Sequence, residues 1–281
     1  MAVDFSNLKK SDNVVLFDMD GTLTEPRKKV GRGITNALRE LSNHAHIGIV
    51  SGSPMDYIKE QMAPSWNQLS TVPVESLIIM PCNGTQAYTF KRRSSDFELT
   101  YKASFLEHLG TICAAPEPYK DIVTNLMELQ LYSMRKHDHP VTGNFISYRE
   151  SLMNWCMIGR DASHEDRAAF TFEDNEKQLR KHLCECLRVR LDASGLHEID
   201  LALGGSTSID IYPRGWDKTH ALRHLGESTV WFAGDKCTPD GNDYALYNEL
   251  EPTGRVKHVH TPDDTIAWIN DVVIPQIKNE K

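Results

Sequence analysis

At 281 residues, 40% hydrophobic and 25% charged, the chain has the make-up of a globular protein of one large domain or two modest ones. A formal charge of −8 excludes a global attraction for nucleic acid or anionic lipid, so an anionic substrate would need a local positive field. Six cysteines without disulfide-framework spacing, no signal peptide and no apolar run near the ~20 residues of a membrane helix lead us to expect reduced thiols in a cytoplasmic protein with no membrane partner.

Residues 1–12 are polar and read as a lead-in. Asn13–Phe17 is almost wholly apolar and reads as a buried strand. It runs straight into Asp18-Met19-Asp20-Gly21-Thr22-Leu23-Thr24. Two acids at a buried strand end repel and resist desolvation, and a divalent cation would offset that cost. Arg27, in the loop that follows, is a candidate phosphate ligand or part of a solvated charge run. Apolar spacing predicts a helix over 32–43 and a second strand over 46–50, which ends at Ser51-Gly52-Ser53-Pro54 before another helix. Ser51 is there either a plain helix cap or a donor to an anion. A third strand over 75–80 ends at Pro81-Cys82-Asn83-Gly84. Strand, helix, strand is the doubly wound α/β pattern.

From about residue 91 the character changes. A short β-like segment at 97–103, helices over 104–114 and 117–136, paired strands over 145–149 and 152–158, one long helical stretch over 164–192, and strands over 198–203 and 206–212 describe an α+β insert. His137-Asp138-His139 reads as a solvated turn at a helix end. His182, Cys184 and Cys186 lie two apart on a helix and do not share a face, so no zinc site is expected. The parallel pattern then resumes with a helix after Lys218, a strand over 229–233 ending at Gly234-Asp235, an acidic loop Pro239-Asp240-Gly241-Asn242-Asp243, a strand over 255–260 and a closing helix over 263–279. The expected architecture is an α/β parallel-sheet core, residues 1–90 and 215–281, with an α+β cap inserted at 91–214.

Ligand sites of open α/β sheets lie at the carboxyl ends of the strands. Asp18, Asp20, Ser51, Asp235 and Asp243 fall there, with Lys218 at a helix start. That composition suits Mg²⁺, a hard ion that prefers oxygen ligands. One aspartate can attack phosphorus, a second can move a proton, and Lys218 can offset the charge. In the insert, Arg149, Arg160 and Arg167 are singly surface ion pairs but together an anion pocket, because arginine binds phosphate with a planar fork of donors.

Phe17–Thr24 resembles the first motif of the haloacid dehalogenase superfamily. Ser51, Lys218 and Gly234-Asp235…Gly241-Asn242-Asp243 match the second, third and fourth in order. The chain is further similar to the eukaryotic-type phosphomannomutases at Leu23–Arg27, Pro81–Gly84, Phe145–Arg149, Ile158–Arg160, Arg167, Ser208–Pro213 and Gly215–Lys218. The resemblance implies that Asp18 is the nucleophile and a Mg²⁺ ligand and Asp20 the general acid/base, its carbonyl also on the metal. It makes Asp235 a metal ligand and Asp243 a support of the metal shell. It implies that Arg149, Arg160, Arg167 and Arg27 hold the distal phosphate, and that Asn154, Ser208 and Asp210 contact phosphate or sugar hydroxyls. It implies interconversion of mannose 6-phosphate and mannose 1-phosphate, with a hexose 1,6-bisphosphate as intermediate and activator, feeding GDP-mannose synthesis, in a homodimer joined through the cap. Three stretches depart from the family pattern: Ser51 where members have glycine, Cys82 where they usually have glutamate, and Asn154–Met157 in place of a smaller, more polar run. A sugar-phosphate phosphatase on the same scaffold is the alternative enzyme. A catalytically dead sugar-phosphate-binding protein is the alternative from another class, against which stands the full set of catalytic groups.

Overall fold

The computed structural model describes residues 4–67, 74–91, 93–113, 115–239 and 241–280. They form two compact units, 1–102 with 216–281 and 103–215.

The first unit is built on a seven-stranded sheet of β1 (Asn13–Phe17), β2 (His46–Val50), β3 (Leu77–Met80), β4 (Gln86–Lys91), β5 (Asp96–Lys102), β10 (Thr229–Gly234) and β11 (Val256–His258). The strands lie in the order β11-β10-β1-β2-β3-β4-β5. From β11 to β3 they run parallel, and β4 and β5 are antiparallel additions. Side chains alternate across β1. Val15 and Phe17 pack with Ile34, Leu38 and Leu41 of helix α1 (Arg32–Leu41), with Ile58 and Met62 of α2 (Met55–Asn67) and with Trp268 and Ile277 near the C-terminus. Val14 and Leu16 pack on the other face with Phe5, Ala221, Leu225 and Leu246. A strand buried on both faces has no polar side, which is why it reads as a continuous apolar run.

The second unit carries α3 (Phe105–Ile112), α4 (Pro118–Lys136), β6 (Ile146–Tyr148), β7 (Met153–Cys156), α5 (His164–Lys177), α6 (Leu179–Ala193), β8 (Ile199–Gly204) and β9 (Ser208–Pro213). Its four strands form an antiparallel sheet in the order β6-β7-β9-β8. Trp155 is fully buried, and its indole N–H donates to Gln130 Oε1 at 2.7 Å, while Gln130 donates to the Met157 carbonyl at 2.9 Å. This ties α4 to the sheet without leaving a buried polar atom unpaired.

Several sequence expectations change. Of the segment 97–103, all but Ala103 belongs to the first unit, because β5 pairs along its length with β4, a strand the sequence reading missed. The break between units therefore falls after Lys102 and after Gly215, where the sequence placed it at 90 and 214. The long stretch 164–192 is two helices, broken at Gln178, which takes a left-handed φ of 53° and caps α5. The closing helix is three pieces: α7 (Pro262–Trp268), a π-turn over Ile269–Val273, and α8 (Ile274–Asn279). His139 is buried rather than solvated, with its Nε2 2.9 Å from Ser133 Oγ. Asp240 lies outside the described residues. No described helix is long and apolar enough to cross a membrane.

Candidate active site

β1 and β10 are neighbours in register, with Phe17 opposite Ala233. The residues that follow, Asp18 and then Gly234-Asp235, consequently leave the sheet side by side. The Asp18 amide donates to the Ala233 carbonyl at 3.0 Å, which locks the first acid at the strand end. Lys218 opens the turn of 3₁₀ helix over Lys218–His224, capped by Asp217, and is fully buried. Its ammonium donates to Asp18 Oδ1 and to Asp243 Oδ1. Asp243, also fully buried, uses its second oxygen to accept from the Lys236 amide at 2.9 Å. Asp243 thereby orients Lys218 and the loop carrying Asp235, and both of its oxygens are engaged.

Asp18, Asp235 and Asp243 each bring a carboxylate oxygen within 4.8 Å of the others. Asp235 Oδ1 is buried and has no hydrogen-bond partner. Asp18 keeps one oxygen beyond the one that Lys218 holds. A buried carboxylate oxygen without a donor is costly, and a cation among three acids removes the cost. The residues present therefore fit a hard divalent ion held by Asp18 and Asp235, with Asp243 behind them. Burial pushes the Asp18 pKa up to about 7, against the pull of Lys218 and with Asp243 adding to the rise. Burial likewise raises Asp235. Burial works to lower Lys218, but the facing Asp18 and Asp243 outweigh it, and its pKa rises. Lys218 is therefore a permanent cation.

Gly21 has a φ of 90°, and a Cβ added there would sit 2.7 Å from Asp235 Cγ. The acidic motif needs glycine at that point both for its turn and for the close approach of Asp235. Asp20 faces a different set of partners. Its Oδ1 accepts from the Arg27 amide at 3.0 Å, from the Tyr57 hydroxyl at 3.2 Å and from Gln61 Nε2 at 3.4 Å. Gln61 is itself fixed by Thr24 Oγ1, which donates to its Oε1 at 2.8 Å. With Oδ1 held, Oδ2 is the oxygen left to carry a proton. Tyr57, Gln61 and Thr24 were missed as site residues in the sequence. Arg27 is exposed, has a left-handed φ of 62°, and meets Asp20 through its backbone.

Ser51 is buried beside this cluster at the end of β2, the strand next to β1. Its hydroxyl accepts from the Ser53 amide at 3.1 Å, and its carbonyl accepts from the Asn83 amide at 2.8 Å. Its O–H remains free to donate. Cys82 and Asn83 both hold positive φ, 51° and 61°, and the Asn83 side-chain oxygen is buried without a partner. Such strain persists where surrounding structure over-determines it.

The second unit assembles its own polar cluster. Asn154 and Asp210 are directly opposite across β7 and β9, and Asn154 Nδ2 donates to Asp210 Oδ1 at 2.6 Å. Arg160 Nη1 donates to Asn154 Oδ1 at 2.8 Å. Partial burial, then the like charge of Arg149, holds the Arg160 pKa below its usual value. Burial raises Asp210, with the Asn154 hydrogen bond and the charges of Arg149 and Arg160 opposing. Three arginine charges so close together favour an anion. Arg167 is differently used: it donates to the Ala162 carbonyl at 3.1 Å, to Thr207 Oγ1 at 3.0 Å and to the Arg160 carbonyl at 2.6 Å. It braces the turn that presents Arg160. Ser208 is buried at the start of β9, where its carbonyl accepts from Arg180 at 3.3 Å. Arg180 forms a buried ion pair with Asp174 at 2.7 Å, and its guanidinium ties α6 to β9. Neither was singled out in the sequence, since a single Arg on a helix carries no mark of burial.

Residues 34–275 match the family model described as eukaryotic phosphomannomutase. The chain is 32% identical over 276 residues to a phosphomannomutase of Saccharomyces cerevisiae, covering 96% of this chain and 97% of that one. It is 33% identical over 256 residues to a phosphomannomutase of Arabidopsis thaliana, covering 90% and 94%. Among solved structures, Plasmodium falciparum IMP-nucleotidase matches with a TM-score of 0.64 at 11% identity, over 99% of this chain and 65% of that one. Aspergillus fumigatus trehalose-6-phosphate phosphatase matches with a TM-score of 0.51 at 17% identity, over 96% and 93%. These structural likenesses are of fold, the haloacid dehalogenase fold. With a family model spanning most of its length and relatives above 30% identity aligned nearly end to end, the chain belongs to the eukaryotic phosphomannomutase family.

Proposed function

We propose that this protein is a phosphomannomutase that interconverts mannose 6-phosphate and mannose 1-phosphate. The observation that carries the reading is the buried Asp18–Lys218–Asp243 cluster with the unpartnered Asp235 oxygen beside it, in a chain of that family. Asp18, Asp235 and the Asp20 carbonyl would hold a Mg²⁺, which would supply positive charge to the phosphoryl oxygens. Asp18 attacks phosphorus and becomes an aspartyl-phosphate, while Lys218 offsets the charge on the reacting groups. Asp20, its Oδ1 held by three donors, gives a proton to the leaving sugar oxygen and takes one from the attacking hydroxyl. Ser51 donates to a phosphoryl oxygen. A hexose 1,6-bisphosphate primes the cycle and is its intermediate, so each phosphate must occupy both a reactive and an inert site. The inert site is the cluster of Arg149, Arg160, Asn154 and Asp210 in the second unit, with Arg167 as brace and Ser208 as a further ligand. The product feeds GDP-mannose synthesis in the cytoplasm.

Exposed Met127, Leu131 and Met134 form an i, i+4, i+7 stripe on α4, which supports a homodimer joined through the second unit. Light scattering at micromolar concentration tests it, with a mass of twice 31.8 kDa expected. The activity is tested by incubating the protein with mannose 1-phosphate, Mg²⁺ and a trace of hexose bisphosphate. Mannose 6-phosphate is the expected product. Stoichiometric inorganic phosphate without the isomer would make the protein a sugar-phosphate phosphatase instead.

A further inference from the structure

A cavity of about 720 Å³ opens in the first unit and shares no residue with the carboxylate cluster. Its size is that of a small-molecule site. Ile78, Ala87 and Thr89, on β3 and β4, line it from the sheet, and Tyr101 and His224 add rings. Two cations, Lys91 and Arg223, also line it, and neither forms an ion pair among the described residues. One acid, Asp4, also lines the cavity: its Oδ1 accepts from Ser6 Oγ and its Oδ2 from Asn7 Nδ2, both at 2.6 Å, and the charge of Lys91 acts on it. With two cations against one acid the lining is net positive, in a chain of charge −8.

A second, independent observation points to a ligand. Thr89 Oγ1 is buried in the cavity lining and has no hydrogen-bond partner. Native interiors leave few such atoms unsatisfied. The neighbouring Thr100 donates its hydroxyl to the Ala87 carbonyl at 3.0 Å, so it does not serve Thr89. The rings are fixed as well. His224 Nε2 lies 2.7 Å from the Gly84 carbonyl, and the Tyr101 ring centroid is 4.7 Å from that of His224. This leaves an aromatic wall, a hydroxyl without a partner and two unpaired cations around one space.

We propose that this cavity is a second binding site, for an organic phosphate of mononucleotide size that carries a flat ring. The phosphate meets Lys91 and Arg223, the ring lies against Tyr101, and a polar ligand atom satisfies Thr89. Arg223 and His224 lie in the last turn of the 3₁₀ helix that Lys218 begins, so a ligand at the cavity engages the element that carries the buried ammonium of the active site.

The test is calorimetric titration of the full chain, with Mg²⁺ present, using AMP, adenosine and inorganic phosphate as probes. An AMP phosphate could also enter the catalytic site, so the variants Arg223→Gln and Lys91→Gln locate the binding. Both are peripheral, and their turnover of mannose 1-phosphate is expected unchanged, which shows that they fold. AMP is expected to bind the unaltered chain, with about tenfold weaker binding in either variant, the loss of one charge-assisted hydrogen bond. Adenosine and inorganic phosphate are each expected about tenfold weaker than AMP. No AMP binding at millimolar concentration, or equal binding to both variants, would overturn the site. Adenosine or phosphate binding as tightly as AMP would overturn the assignment of ligand class.

Discussion

Replacing Lys218 with methionine removes the ammonium and keeps most of the side-chain volume. In the native protein that ammonium is fully buried and serves two acids, Asp18 at 5% and Asp243 at 0% exposure. Its loss leaves two carboxylates facing each other in the interior with no compensating charge. Removing one partner of a buried ion pair costs about 3–5 kcal/mol, and two acids here share the partner that is lost. The cost carries a sign in pH. Burial has raised the Asp18 pKa to about 7, and Lys218 opposes that rise, so the substitution raises it further. A raised carboxylate stabilises the fold below its unfolded value, and that contribution is lost as pH climbs through the folded value. The variant is therefore weakest near pH 8 and recovers as Asp18 protonates toward pH 5. Urea unfolding in chelator at the two pH values measures it, with exchange of the β1 and β10 amides to locate the loss. Adding Asp18→Asn to the variant should restore part of the stability at pH 8. A cost under about 1 kcal/mol, or one that does not change with pH, would refute the reasoning.

Gly21→Ala forces a Cβ against Asp235 at a left-handed position. It should cost about 1–2 kcal/mol in the turn and about a hundredfold in kcat through displacement of Asp235, read by steady-state turnover across a Mg²⁺ titration. Arg160→Met should raise KM for mannose 1-phosphate about tenfold or more, from the loss of a charged hydrogen bond, while hydrolysis of a small aryl phosphate, which has no distal phosphate, is unchanged. His46 and His224 are held below the usual histidine range, each first by burial. They are neutral when folded and protonate on unfolding, so their contribution is present above about pH 6.5 and is lost as pH falls through the depressed values. His224→Gln should flatten the slope of stability against pH between 7 and 5, measured by urea unfolding.

Two strand ends of the core were legible because each announces itself twice, by an apolar run and by the acids that stop it. Asp18 after Val14–Phe17 and Asp235 after Val230–Ala233 are both of this kind. What escaped the sequence depends on contacts made at long range. β4 has a mixed composition, Gln86 to Lys91, and is a strand because Leu77–Met80 and β5 lie on either side of it. The break at Gln178 uses a left-handed glutamine, where periodicity alone runs through. Gln61 and Tyr57 sit on α2, 41 and 37 residues from Asp20, and nothing in their spacing marks them as its partners. Arg167 shows the converse: its residue type suggested a phosphate ligand, and its donors are engaged by Ala162, Thr207 and Arg160.

The central claim is that Asp18 takes the phosphoryl group. The direct test is rapid quench of the protein mixed with radiolabelled hexose 1,6-bisphosphate and Mg²⁺, followed by peptide mapping. The account predicts one hydroxylamine-sensitive label per active chain, on the peptide containing Asp18 and absent from Asp18→Asn. A label on any other peptide, or full isomerase turnover by Asp18→Asn, would contradict it.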